Sequence, residues 1–332
     1  MHDNQGSDVN DARPSALGHL VGMRGIIDQV RVGIDSAFAD NQKFPHTLLV
    51  SPPGCGKTEL CHVVAQEMAV ELHYALGVSL TNIADLNGLL LAAKNDKDII
   101  YIDEADDLKL QVPLYLALDQ RKIILSGGNA GRSPMSVPLA DFTLLLSTNH
   151  DHSLLPALRD RMKMVLYLPF YSEGELTEIL ARRCRALNWP VEQEVLPMIA
   201  QRAKGTPRQS LRLISAARRV ARSEGDSTVT TQHLLRAFEL EGLDNLGLTS
   251  VEQKYLRLLA EGDSRLNVIA SRLGLPPRTV SQVTEQFLIR ANLICKDDQA
   301  RRQLTALGRG IPHPICIALL RQTRRDHKLT TI

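Results

Sequence analysis

The run His46-Thr47-Leu48-Leu49-Val50-Ser51-Pro52-Pro53-Gly54-Cys55-Gly56-Lys57-Thr58 decides the fold. A short β-prone stretch breaks at a turn rich in proline and glycine, and a helical pattern resumes from Lys57 through Met68. Strand, glycine loop, helix, in that order, aims unpaired backbone N–H groups at whatever anion sits on the helix N-terminus. Gly54-Cys55-Gly56-Lys57-Thr58 has the form of the second half of a phosphate-binding loop. Its glycines let the backbone converge on phosphate oxygens, Lys57 reaches the β and γ phosphates, and the Thr58 hydroxyl ligates Mg²⁺. Such loops ordinarily open on glycine, and here Ser51 takes that place.

Downstream, Asp98 is followed by Ile99-Ile100-Tyr101-Ile102 and then Asp103-Glu104. A continuous apolar run of strand length suits a parallel strand buried on both faces. Lying beside the P-loop strand, its terminal Asp103 is expected to hold the metal through water, and Glu104 to polarise an attacking water. Asp106 and Asp107 are expected to be surface or helix-capping acids. Phe142 to Ser147 forms a second strand, and Asn149 just beyond it can hydrogen-bond a γ-phosphate or orient water without adding charge. Leu158-Arg159-Asp160-Arg161-Met162 offers two arginines able to stabilise charge on a transferring phosphoryl group. In Gly205-Thr206-Pro207-Arg208, Pro207 suits a first helical position and Thr206 an N-cap. Arg208 then lies in a first turn, where its charge opposes the helix dipole, so a functional use is expected.

The rest of the chain fills in the architecture. Met1 to Ser15 lacks apolar periodicity and reads as a loose leader, and Ile26 to Phe38 as an amphipathic helix. Arg121 to Pro138, with Ser126-Gly127-Gly128-Asn129 at its middle, reads as an inserted hairpin. After Pro169 the pattern turns helical: Ser172 to Leu187, Glu192 to Ala203, Pro207 to Ser223 and Thr231 to Glu239. Ser250 to Glu261, Arg265 to Leu273 and Pro277 to Ala291 are three short helices, followed by a basic hairpin-like stretch to Gly310, the pattern of a winged helix-turn-helix. The expected fold class is α/β: a P-loop parallel sheet with helices on both faces, a helical lid and a C-terminal winged helix. The domains are a flexible leader over 1–15, a nucleotide-binding domain over 16–169, a lid over 170–243, a winged helix over 244–312 and a basic tail over 313–332.

Composition sets bounds. A chain of 332 residues exceeds what one core usually serves. Its 44% hydrophobic and 23% charged residues are those of a globular protein. No apolar run approaches the roughly 20 residues of a membrane span, and the polar N-terminus does not suit a signal peptide, so no membrane partner and a cytoplasmic address are expected. Five scattered cysteines without a C-x-x-C pair read as free thiols. A net charge of +2 excludes a polycation that coats nucleic acid indiscriminately, leaving only a local patch for that role.

Taken together, these motifs resemble the AAA+ ATPases, and most closely the RuvB-type Holliday-junction branch-migration motors, over nearly the whole chain from Leu17 to about Gly310. Ser51 to Thr58 is similar to the Walker A loop except at Ser51, and Ile102-Asp103-Glu104-Ala105 to Walker B. The resemblance implies ATP and Mg²⁺ as ligands. Nucleotide contacts fall to Val21, Gly22, Pro53, Gly54, Cys55, Gly56, Lys57, Thr58, Glu59 and Arg208, and the metal to Thr58 and Asp103. Catalysis falls to Glu104, to Asn149 at sensor 1 and to Arg159 as a finger acting in trans, with Arg161 as the alternative. Asn149 departs from the threonine-rich sequence more common there in the RuvB type. Arg208 matches sensor 2. A finger in trans implies a homo-oligomeric ring, hexameric in this family. Duplex or four-way-junction DNA is the implied substrate, gripped by Arg301, Arg302 and Arg309 in the wing. The Ile123 to Pro138 hairpin sits where the family docks its RuvA-type partner. The implied activity is ATP-driven translocation of duplex DNA in recombination or repair; the alternative is an ATP-binding switch that recruits a partner with slow or no hydrolysis.

Overall fold

The computed structural model describes residues 8–125 and 135–310. The chain divides into two compact units, one ending at Leu234 and the other beginning at Leu235. The tip of the expected hairpin and the basic tail lie outside the described residues.

The first unit is built on five parallel strands: β1 (Thr47–Val50), β2 (Leu72–Leu76), β3 (Ile99–Asp103), β6 (Thr143–Thr148) and β7 (Met164–Tyr167). Their order across the sheet is β2-β3-β6-β1-β7. The sheet is two-sided because its apolar residues alternate. Leu49, Ile99, Tyr101 and Leu145 join one core with α1 (Arg24–Ala39) and α2 (Lys57–Met68). Leu48, Ile100, Ile102, Leu144 and Leu146 join a second core with α3 (Ile83–Ala92) and α4 (Gln111–Gln120). Each fully buried Leu or Ile contributes about 1.5–3 kcal/mol, so β3 and β6 have no solvent face to spare for charge. Polar residues there must be partnered: the Ser147 hydroxyl donates to Asp103, and the phenol of Tyr101 lies 3.0 Å from Ser147 Oγ.

The order of strands corrects one expectation. Asp103 does not end a strand next to the P-loop strand; β6 lies between β3 and β1. Two strands of this sheet were not anticipated. β2 is a half-buried edge strand, and β7 follows the arginine pair, of which Arg159 ends the short helix α5 (Pro156–Arg159). The inserted hairpin is present as antiparallel β4 (Lys122–Leu125) and β5 (Met135–Pro138).

Beyond β7, α6 (Glu173–Ala186), α7 (Val195–Arg202) and α8 (Pro207–Ser223) pack together, and α9 (Thr231–Leu240) spans the division between the units. A reciprocal capping box of Ser172 and Glu175 starts α6. Thr206 occupies the N-cap of α8, but its hydroxyl donates to the Ala203 carbonyl instead of capping the helix.

The second unit is a winged helix: α10 (Ser250–Ala260), α11 (Leu266–Leu273), a helical stretch over 277–290, and a three-stranded sheet ordered β8-β10-β9. Its strands are β8 (Ser264–Arg265), β9 (Ile294–Lys296) and β10 (Arg301–Leu304), and a short helix Ala306–Arg309 follows. The 277–290 stretch contains a π-helical turn, Val280–Thr284. Its core holds Tyr255, Leu256, Ile269, Val280 and Leu288.

Candidate functional site

The sheet order sets the site. β1 feeds the glycine loop into α2, and its neighbour β6 delivers Asn149 beside it. Lys57 Nζ donates to the Ser51 carbonyl at 2.9 Å, to Ser51 Oγ at 3.2 Å and to Asn149 Oδ1 at 2.8 Å. Burial holds the Lys57 ammonium below its usual value, with nearby Asp103 pulling the other way. Ser51 is buried and has an ordinary negative φ, so glycine is not required there, and its hydroxyl adds an acceptor for Lys57. Gly54 and Gly56 have φ of 82° and 93°, the left-handed region that favours glycine.

Thr58 Oγ1 donates to Asp103 Oδ2 at 3.3 Å, reaching past β6. The other Asp103 oxygen accepts from Ser147 Oγ and from the Glu104 amide, which fixes the carboxylate's orientation. A hydroxyl and a carboxylate are both hard oxygen donors, so the pair fits a hard cation held directly by Thr58 and through water by Asp103. Glu104 is exposed at φ 53°, a conformation uncommon for a side-chain-bearing residue. Gly77 permits that turn: a Cβ there would stand 2.4 Å from the Glu104 carbonyl oxygen.

Val21, Pro53, Gly54, Gly56, Lys57, Thr58, Glu59, Asp103, Glu104, Asn149 and Arg208 line one cavity of about 1080 Å³. Its wall carries eight arginine or lysine side chains against four acidic ones, which suits a polyanion. Arg208 is held at the P-loop by its own backbone. Its amide donates to the Gly54 carbonyl at 3.3 Å, and a Cβ on Gly54 would stand 2.9 Å from Arg208 Cβ. Gly22 and Cys55 are not on the cavity wall. Gly22 (φ 71°) packs against Glu175, and Cys55 is buried with its carbonyl accepting from the Tyr171 phenol at 3.4 Å.

Sequence reasoning missed part of this wall. Asp8 to Asn10 and Ala12 to Ser15, expected to be loose, line the cavity: Arg183 Nη1 donates to the Val9 carbonyl at 2.7 Å, and Arg13 lies 3.9 Å from Glu59. Tyr171, Arg182 and Arg183 line it as well, and burial pushes the Tyr171 phenol well above its ordinary value. Arg13 was the one visible signal in a segment with no periodicity.

Neither Arg159 nor Arg161 lines this cavity. Arg159 Nη2 lies 3.1 Å from Asp151 and 2.9 Å from the Tyr167 hydroxyl. Arg161 forks onto Asp119, donates to the Ala157 carbonyl and stacks 4.7 Å over Tyr115. Asp106, expected to be a surface or helix-capping acid, is instead half-buried and accepts from Thr148 Oγ1 at 2.8 Å, at the end of β6.

The wing requires a correction. Arg302 faces the interior, its Nε 2.8 Å from the fully buried Glu285, whose carboxylate also accepts from the Tyr255 hydroxyl at 2.8 Å. A guanidinium committed there cannot grip DNA. Arg309 is exposed, on the short helix after the wing, and Arg301 is exposed on β10. Asp297 accepts from the Gln299 and Arg301 amides and so orders the wing turn.

Among the described residues, no helix is long and apolar enough to cross a membrane.

Comparison with known proteins agrees with this geometry. The family model of the Holliday junction DNA helicase RuvB P-loop domain matches residues 12–168, the RuvB AAA lid domain 171–244 and the RuvB C-terminal winged helix domain 245–311. The Holliday junction branch migration complex subunit RuvB of Anaeromyxobacter sp. (strain K) is 34% identical over 311 residues, covering 90% of this chain and 91% of that protein. Its counterpart from Kosmotoga olearia is 32% identical, covering 87% and 86%. The solved structure of the Thermotoga maritima RuvB Holliday junction branch migration motor superposes with a TM-score of 0.77 at 27% identity, covering 89% of this chain and 96% of that one. A P-loop sheet, a lid and a winged helix, matched in order along one chain, establish that this protein belongs to the RuvB family of AAA+ proteins.

Proposed function

We propose that this protein is an ATP-hydrolysing motor that moves duplex DNA at four-way junctions. The observation that carries the reading is the convergence of Lys57, Thr58, Asp103, Glu104, Asn149 and Arg208 on one basic cavity. Val21 borders the base, the loop amides and Lys57 hold the β and γ phosphates, and Thr58 directly and Asp103 through water would hold Mg²⁺. When held there, Mg²⁺ would supply neutralisation of the phosphate charge. Asn149, now bonded to Lys57, is placed to orient the attacking water. Glu104 takes the proton from that water as its oxygen bonds to the γ phosphorus and the bond to the β-phosphate oxygen breaks, leaving ADP and phosphate. Arg208 follows the γ phosphate from the lid.

An arginine from a neighbouring subunit completes the site, which makes the working form a ring. Arg159 and Arg161 both lie off their own chain's cavity. Arg161 is the more firmly committed in the isolated chain, and rings mixed from R159A or R161A with unmodified subunits identify the finger by which of them poisons turnover. Arg301 and Arg309 are proposed to contact DNA phosphates, and the β4–β5 hairpin to meet a RuvA-type partner, as the relatives' place in a branch migration complex suggests. The alternative, an ATP-binding switch, is separated by measuring ATP turnover with and without four-way-junction DNA: a motor is stimulated, and a switch stays near zero in both.

Gly77→Ala tests the mechanism away from the ligands. The added methyl would collide with the Glu104 carbonyl and shift a carboxylate that must sit within hydrogen-bond reach of water. A misplacement near 1 Å can cost on the order of 10²-fold. Turnover should fall by about that factor with nucleotide affinity retained, measured by steady-state hydrolysis and by titration with a fluorescent nucleotide.

A further inference from the structure

Arg301 and Arg265 are direct partners across the antiparallel β10–β8 ladder, and both are exposed. Side chains directly opposite each other in such a ladder share a face. That face is not the interior: the next residue along β10, Arg302, turns inward to Glu285, so alternation sends Arg301 outward, and Arg265 with it. Among the described residues neither guanidinium is paired with an acid, although other cations of this unit are: Lys296 lies 3.8 Å from Glu285 and Arg272 lies 2.7 Å from Glu261. Asp297, at the turn before β10, spends its carboxylate on backbone amides and on Gln303. Like charges directly opposed in a ladder destabilise it. A two-residue strand such as β8 has little else to offset that cost.

We propose that Arg265 and Arg301 form a clamp for a single backbone phosphate of duplex DNA, gripped between two guanidinium forks without reading bases. The Cβ atoms of opposed residues stand about 5 Å apart, so two long side chains converge on one anion between them. Arg265 becomes a DNA contact on a strand outside the wing hairpin. The inference rests on the proposed DNA-binding role of this unit.

The test is duplex affinity of the full-length protein across a salt series, by fluorescence anisotropy, for R265A, R301A and the double variant. One phosphate contact contributes about 0.9 to the slope of log affinity against log salt. The double variant should lose about 0.9 and each single variant less. A double loss of about 1.8 would assign two separate phosphates and overturn the shared clamp. An unchanged slope in R265A and in the double variant, with the unmodified protein still binding, overturns the clamp and leaves DNA binding standing. Absence of salt-dependent binding by the unmodified protein overturns the DNA reading itself. Thermal melting of the free protein separates a structural role: relief of the opposed charges leaves R265A as stable as the unmodified chain or more so, and a lower melting temperature counts against the clamp.

Discussion

Glu104→Gln leaves ATP bound and stops its hydrolysis, with turnover falling by about 10³-fold, within the 10²–10⁴ that a positioned general base supplies. The amide preserves the size of the carboxylate and the turn at φ 53°, so the cavity keeps its shape. It cannot take a proton from water, and that is the function lost. Nucleotide affinity stays within a few-fold because phosphate binding is assigned to the loop amides, Lys57 and Arg208, none of which is bonded to Glu104. Single-turnover hydrolysis measured beside equilibrium binding checks both halves. Turnover within about tenfold of the unmodified protein would remove Glu104 from the base role.

Glu285→Ala carries the largest expected effect on stability. Glu285 is fully buried and joins three elements: the 277–290 helix that bears it, the α10 phenol of Tyr255 and the β10 guanidinium of Arg302. Burial and the Glu285 carboxylate together push that phenol far above its ordinary value. Removing the acid strands a guanidinium in the interior, which costs about 3–5 kcal/mol. That is a large share of the roughly 5–15 kcal/mol that keeps a domain folded. The winged-helix unit should unfold at much lower denaturant concentration, followed by circular dichroism. Replacing both partners, as Glu285→Leu with Arg302→Met, should recover much of the loss, because a buried pair is often matched by apolar residues of similar volume. If the single variant is as stable as the unmodified chain, the network does not hold the wing.

Local grammar made part of this legible. The P-loop, the Walker B strand and the lid helices are written in contiguous residues, where β propensity, glycine and a 3.6-residue period coincide. The order of strands is not local. β3 and β1 look adjacent because their loops share a chemistry, yet β6 lies between them. Edge strand β2 escaped notice because its residues are only partly buried and show no strong apolar run. Asp8 to Ser15 have no periodicity to read, and what fixes them is Arg183 and Glu59 far along the chain. Arg301 and Arg302 were both assigned to DNA, and the assignment failed at Arg302 for a different reason. Alternation states that the two side chains face opposite ways, but only Glu285, on another element, decides which turns inward. Pairing of Arg265 with Arg301 is likewise a product of register.

The most direct measurement of the central claim is movement of a synthetic four-way junction by the purified protein with ATP, alone and with a RuvA-type partner, followed as the release of labelled duplex arms. ATP-dependent release that is lost in Glu104→Gln is the predicted result. Hydrolysis that proceeds without any movement of the junction, under every partner and protein concentration tried, would contradict it.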